Sequence, residues 1–169
     1  MDKKAEERLK RITKDAIEKC KECNIPIDEK ATVKINTRAK KRYGVCRKRN
    51  SKFIIEISYF LFESTDQKIE QTVLHEFLHT CPGCFNHGRV WNNHAYTINK
   101  KYGFNIDRTN SREDMGLEAF TNDDYKYILK CSNPECKNTI KRMKMSKTIK
   151  YYTRYRCGAC GCSFIKVKG

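Results

Sequence analysis

All four histidines of the chain fall between positions 75 and 94, and the first two stand four apart in the stretch His75-Glu76-Phe77-Leu78-His79. Around them Ile69, Val73 and Phe77, with Leu74 and Leu78, recur at spacings of three and four. That is the stripe of a helix with a buried face. Two imidazoles one turn apart on such a helix converge on one point in space. Burying them together is unfavourable unless an ion or a hydrogen-bond partner is present. The segment therefore asks for a core wrapped around one helix with room beside it for a metal.

A zinc ion that does chemistry takes three protein ligands and keeps one position for water. His75 and His79 supply two. Pro82 and Gly83 stop the helix after about Thr80 and let the chain reverse. His87, at the mouth of the next apolar-periodic stretch, is the best-placed third ligand. His94 is the alternative, but it lies seven residues further on, roughly 10 Å along the same helix; beside Trp91 it reads as a hydrogen-bonded core histidine. Glu76 follows the first ligand directly and can reach a water at the metal without ligating it, the position of a general base. Cys81 and Cys84 flank the turn. Their C-x-x-C spacing can bind metal or close a disulfide, although Pro82-Gly83 suffice as a turn and cysteine is an ordinary small hydrophobe.

Upstream, Leu9, Ile12, Ala16, Ile17, Cys20 and Cys23 form the apolar stripe of a helix over residues 3–23, ended by Asn24 and Pro26. The period then shifts to two through Val33 and Ile35, Tyr43 and Val45, and Phe53, Ile55 and Ile57, which predicts a small antiparallel sheet with Asn50 and Ser51 in its turn. Ser64 with Gln67 reads as a capping box for the histidine-bearing helix. Asn86 is the expected cap of the following helix, which runs to Tyr102, buries Trp91, Ala95 and Ile98, and closes at Gly103. Residues 104–124 are polar and read as a linker or lid around a short helix near Glu113 to Phe120.

The C-terminal segment carries Cys131 and Cys136 as C-x4-C, then Cys157 and Cys160 as C-x-x-C. Two such knuckles present four thiolates to a closed structural zinc site, and without one the short Tyr- and Ile-containing segments around them would lack a core. Cys162 can replace Cys160; spacing leaves both open. Between the knuckles run Lys141, Arg142, Lys150, Tyr151, Tyr152, Arg154, Tyr155 and Arg156. Cations that track phosphates, interleaved with rings that stack on bases, suit single-stranded nucleic acid. The plainer alternative makes the tyrosines the module's scant core and leaves the cations to solvent.

Charge is distributed unevenly. Residues 1–65 carry 18 Lys/Arg against 10 Asp/Glu, residues 66–125 carry 6 against 9, and residues 126–169 carry 12 against 1. Two basic flanks around a slightly acidic middle favour a polyanionic partner. No apolar run reaches the length of a membrane span, and the charged N-terminus lacks the apolar core of a secretory signal. A cytoplasmic setting, nucleoid- or chromatin-associated, is expected, with the ten cysteines held as thiols or metal-bound thiolates rather than disulfides.

The stretch 74–91, LHEFLHTCPGCFNHGRVW, resembles the SprT-like (Spartan-related) zinc metalloprotease family, in which HExxH on one helix is completed by a histidine in a later H-G-x-x-aromatic element, here His87-Gly88-Arg89-Val90-Trp91. Tyr43-Gly44-Val45-Cys46 and the segment 53–62 are similar to that family's sheet, and a C-terminal zinc ribbon occurs in many of its members. The CPGC loop is a departure from the pattern. The resemblance implies an α+β fold: a zincin-like core over 1–103, a linker or lid over 104–124, and a four-cysteine zinc ribbon over 125–169. It also implies two zinc ions, one catalytic on His75, His79 and His87 with Glu76 as base, and one structural on Cys131, Cys136, Cys157 and Cys160. The expected activity is that of a monomeric metalloendopeptidase acting on proteins held on DNA, with single-stranded DNA as partner. The rivals are a non-catalytic nucleic-acid-binding zinc protein and a processing peptidase indifferent to DNA.

Overall fold

A computed structural model describes residues 2–169. The chain divides into two compact units, one ending at Glu118 and the other spanning Ala119–Gly169, each with its own core.

In the first unit, helix α1 (Lys3–Glu22) begins at Asp2, whose carboxylate accepts hydrogen bonds from the N–H groups of Lys4 and Ala5, and buries Leu9, Ile12, Ala16 and Cys20. Asn24 takes a left-handed φ of 53° just past its end, so the short polar side chain turns the chain where the helix stops. Strands β1 (Thr32–Asn36), β2 (Gly44–Arg49) and β3 (Lys52–Ser58) follow. The β2–β3 hairpin turns on Asn50 and Ser51, both with positive φ, the geometry that matches the twist of a two-residue hairpin. The sheet is not all antiparallel as its alternation suggested. Its order is β1-β3-β2, with β1 parallel and β2 antiparallel to the central β3. Period-two alternation reports which face a residue occupies and is the same for either strand direction.

Helix α2 (Asp66–Leu78) is the centre of this unit, with Ile69, Val73, Leu74, Phe77 and Leu78 fully buried. Its cap is Thr65, which accepts from the Lys68 N–H, and not Ser64. The Ser64 hydroxyl donates instead to the Met115 carbonyl. The helix stops slightly earlier than its apolar stripe suggested, with His79 as C-cap, because Thr80 donates its hydroxyl to the Phe77 carbonyl and takes the Asp28 N–H. Arg8 of α1 grips the start of α2 through Asp66 at 2.5 Å and the carbonyls of Phe62 and Ser64 at 2.7 and 2.8 Å.

Helix α3 (Arg89–Tyr102) buries Trp91, Ala95 and Ile98 and ends at Gly103 in the left-handed region, as expected. Its N-cap is Gly88; Asn86 sits two residues earlier and accepts the Gly88 N–H.

Residues 104–118 correct the linker reading. Phe104, Ile106, Met115 and Leu117 lie in the same core as α1 and α2. Gln71 of α2 accepts the Asn105 N–H, while Asn99 of α3 bonds both backbone groups of Ile106. The short helix expected near Glu113 is a series of turns over 112–116, since packing Met115 and Leu117 inward outweighs helical propensity in so polar a stretch.

The second unit is an antiparallel sheet of order β5-β4-β6, formed by β4 (Tyr127–Cys131), β5 (Thr139–Arg142) and β6 (Phe164–Lys168), with a one-turn helix α4 (Lys147–Lys150) and a 3-10 turn at Tyr152–Arg154. Its core is small: Leu129, Ile149 and Phe164 with Cys131 and Cys157. Among the described residues no helix is long and apolar enough to cross a membrane.

Candidate metal centres

The C-terminal end of α2 and the loop that follows bring three imidazoles together. The metal-binding nitrogens of His75, His79 and His87 all lie within 4.8 Å of one another, and the Nε2 atoms of His75 and His87 are 3.1 Å apart. Nitrogens about 2.0–2.1 Å from a tetrahedral zinc stand roughly 3.4 Å apart, so the rings are spaced as ligands of one ion. His94 stays outside this group.

Two of the rings are held from behind, and the third is carried by a tethered loop. His79 Nδ1 pairs with the Cys84 carbonyl at 2.9 Å, and His75 donates a hydrogen bond to the backbone of Asp107. Asn92 donates to the carbonyls of His87 and Gly88 at 2.9 and 3.0 Å, tying the loop that carries His87 to the first turn of α3. Such outer partners fix the orientation of a metal-binding imidazole. Trp91 closes the inner wall, its ring centroid 4.8, 5.8 and 4.6 Å from those of His75, His79 and His87. Burial lowers the pKa of all three histidines. For His75 and His87 repulsion from the neighbouring imidazolium forms adds to this, and His75 is taken down to about 3. Neutral imidazoles are the form that binds metal.

Glu76 leaves the helix on a different side. It is only 6% exposed and points at β2, where the Cys46 backbone hydrogen-bonds its carboxylate. A β-carbon on Gly44 would meet Glu76 Oε1 at 2.5 Å and its Cγ at 2.7 Å, so any larger residue there requires the Glu76 side chain to move. Burial pushes the Glu76 carboxyl up to about 8, against the pull of the Cys46 backbone and the charge of Arg42. Asp107 and Asn92 were invisible as site residues in the sequence, whereas Gly44 carried a signal as the glycine of YGVC.

In the second unit, Cys131, Cys136, Cys157 and Cys160 form the other group. The Sγ atoms of Cys131 and Cys160 are 3.3 Å apart and those of Cys136 and Cys157 are 3.7 Å apart, against roughly 3.8 Å for thiolates about 2.3 Å from a tetrahedral zinc. The Asn138 side-chain amide donates to Cys157 Sγ at 3.2 Å. With the backbones of Ala159 and Cys160 it holds the Cys157 thiol down to about 6, and the Cys162 backbone does the same for Cys160 in direction. Gly161, with φ of 74°, makes this turn possible. Cys162 packs against the ribbon core, and its carbonyl accepts the Cys157 N–H at 2.8 Å. Both donor sets are compatible with zinc.

The basic stretch of this unit is mostly exposed. Arg142, Lys150, Tyr151, Arg154, Tyr155 and Arg156 face solvent and Lys141 is half-buried. Tyr152 differs from the expectation of a free stacking ring: it packs against the Cys-lined core. Tyr151 is covered by two cations, Lys150 and Arg154, at 5.2 and 5.1 Å from its ring centroid.

An α+β unit that gathers an HExxH pair and a later histidine around one point, with a separate four-cysteine ribbon, defines the class: a protein built like an HExxH metallohydrolase. The model of the SprT-like family matches residues 6–110, more than half of the chain and all three histidines, and the protein belongs to that family, one generally of metalloproteases. Among curated proteins none matches.

Proposed function

We propose that the chain is a zinc-dependent endopeptidase that cleaves proteins associated with DNA, DNA–protein crosslinks among them. The observation that carries this reading is the relation between the three converging imidazoles and the buried carboxylate of Glu76, one residue from the first of them. His75, His79 and His87 would hold a zinc ion, which when bound would supply the Lewis acidity that polarises a peptide carbonyl and brings the pKa of water to about 7. With the charge of a bound ion opposing the effect of burial and favouring the carboxylate, Glu76 is the base that would take the proton of the attacking water and return it to the leaving amine. Trp91 and the core around it shield the rings from bulk solvent. Among the described residues β2 forms a strand pair with β3 alone, so the part of its outer edge not used by the Cys46–Glu76 hydrogen bond offers an extended peptide a site for strand addition.

DNA enters through the ribbon. Its exposed Arg142, Lys150, Arg154, Tyr155 and Arg156 combine phosphate-binding charge with an available ring, which also fits a nucleoid- or chromatin-associated protein. Tyr152, packed against the cysteine-lined core, and the two cations already paired with the Tyr151 ring favour the rival in which the peptidase ignores DNA.

Digestion of a DNA-bound protein with and without added single-stranded DNA, beside Glu76→Gln, separates these readings. Glu76→Gln is expected to retain metal and lose about 10²–10⁴-fold in rate. Cleavage at the wild-type rate by that variant would remove Glu76 from the chemistry. A rate unaffected by DNA, with no salt-dependent DNA affinity, would leave the DNA-independent peptidase.

A further inference from the structure

The loop that links the two halves of the histidine site carries chemistry of its own. Cys81 and Cys84 are 4% and 0% exposed, and the turn between them uses Gly83 with φ of 74°, the open left-handed position a tight C-x-x-C knuckle needs. Their two thiols and a ring nitrogen of His94, from the following helix, all lie within 4.8 Å of one another. A turn alone requires neither thiol, and a core histidine alone does not require two sulfurs beside it. Soft sulfur with imidazole is a donor set for zinc.

We propose that Cys81, Cys84 and His94 bind a further zinc ion, separate from those of the three histidines and of the ribbon. Binding forms two Zn–S bonds and one Zn–N bond; the two thiol protons pass to solvent, His94 contributes a neutral lone pair, and water completes four-coordination. Although its fourth ligand is water and not a fourth side chain, the ion acts structurally, because its three protein ligands join the loop to α3. It pins the loop whose Cys84 carbonyl orients His79 at 2.9 Å, and it ties that loop to α3 independently of His87. The site stands whether or not the protein cleaves peptides, because its ligands are distinct from Glu76 and from the three histidines.

The full-length zinc-loaded protein, analysed by native mass spectrometry, is expected to carry one more zinc than either Cys84→Ser or His94→Gln. The ribbon variant Cys157→Ser should also lose one ion, as an independent count. Should those variants fail to fold, the wild type still decides through alkylation and peptide mapping: Cys81 and Cys84 are expected to resist N-ethylmaleimide with zinc present and to react once a chelator has removed it. An unchanged zinc count in folded variants, alkylation indifferent to zinc, or recovery of a Cys81–Cys84 disulfide peptide from the zinc-loaded wild type would each overturn the assignment.

Discussion

Gly44 and Glu76 touch: the strand backbone at Gly44 comes so near the carboxylate that any β-carbon there would overlap Glu76 Oε1 at 2.5 Å. The buried glutamate is thus positioned by β2 through space as well as through the Cys46 backbone. A glycine in strand β2 lacks a side chain to pack, and here close approach is the reason for it.

Gly44→Ala is therefore expected to push the Glu76 carboxylate out of place while leaving the three histidines untouched. A displacement of about 1 Å costs on the order of 10²-fold in rate. Steady-state kinetics should show a fall in kcat at unchanged zinc content; a variant with wild-type kcat would show that Glu76 tolerates the shift.

Acidity acts on this unit in two opposed ways. The histidines, with pKa values held below their usual 6.5, stay neutral in the folded protein while the unfolded chain takes up protons, so stability falls as pH drops below 6.5 toward about 3 for His75. Glu76, raised from 4.5 to about 8, keeps its proton in the fold while the unfolded chain loses it, so its contribution is complete below 4.5 and is lost as pH rises toward 8. Metal-free protein, followed by the fluorescence of its single tryptophan, Trp91, is expected to lose stability to urea as pH rises from 6.5 to 8. Glu76→Gln should abolish that fall and keep the acid-side loss. The same midpoint at all pH values in the two proteins would contradict both assignments.

The ribbon core of Leu129, Ile149 and Phe164 is too small to hold three strands unaided, since chains of this size commonly need a metal or disulfide. Cys157→Ser is expected to expose the amides of β4, β5 and β6 to hydrogen exchange within seconds while those of α2 remain protected. Slow exchange throughout the ribbon strands of the variant would show that the fold stands without its ion.

Local spacing made much of this molecule legible. His75 and His79 lie on one helix, so their convergence follows from the periodicity of about 3.6 residues per turn. The two cysteine knuckles are each set by a turn of a few residues, and Gly103 and Asn50-Ser51 signal their turns directly. What spacing could not reach was contact between distant segments. Val33, Ile35 and Ile55 show the same alternation whether β1 and β3 run parallel or opposed. Residues 104–118 look like solvent-facing linker because few of them are apolar, and Met115 and Leu117 acquire their meaning from a core built by other elements.

The sequence by itself determined the chemistry on offer: which residues could ligate, which carboxylate stood beside them, and that four cysteines formed a separate cluster. Tertiary structure alone decided the supporting shell, bringing Gly44 against Glu76, Asp107 behind His75, Asn138 onto Cys157, and His94 beside the two loop cysteines. The physical reason is that ligand spacing within a helix or turn is fixed by backbone geometry over a few residues. Orientation and burial come from packing between segments that are far apart along the chain, whose pairing no short-range pattern encodes.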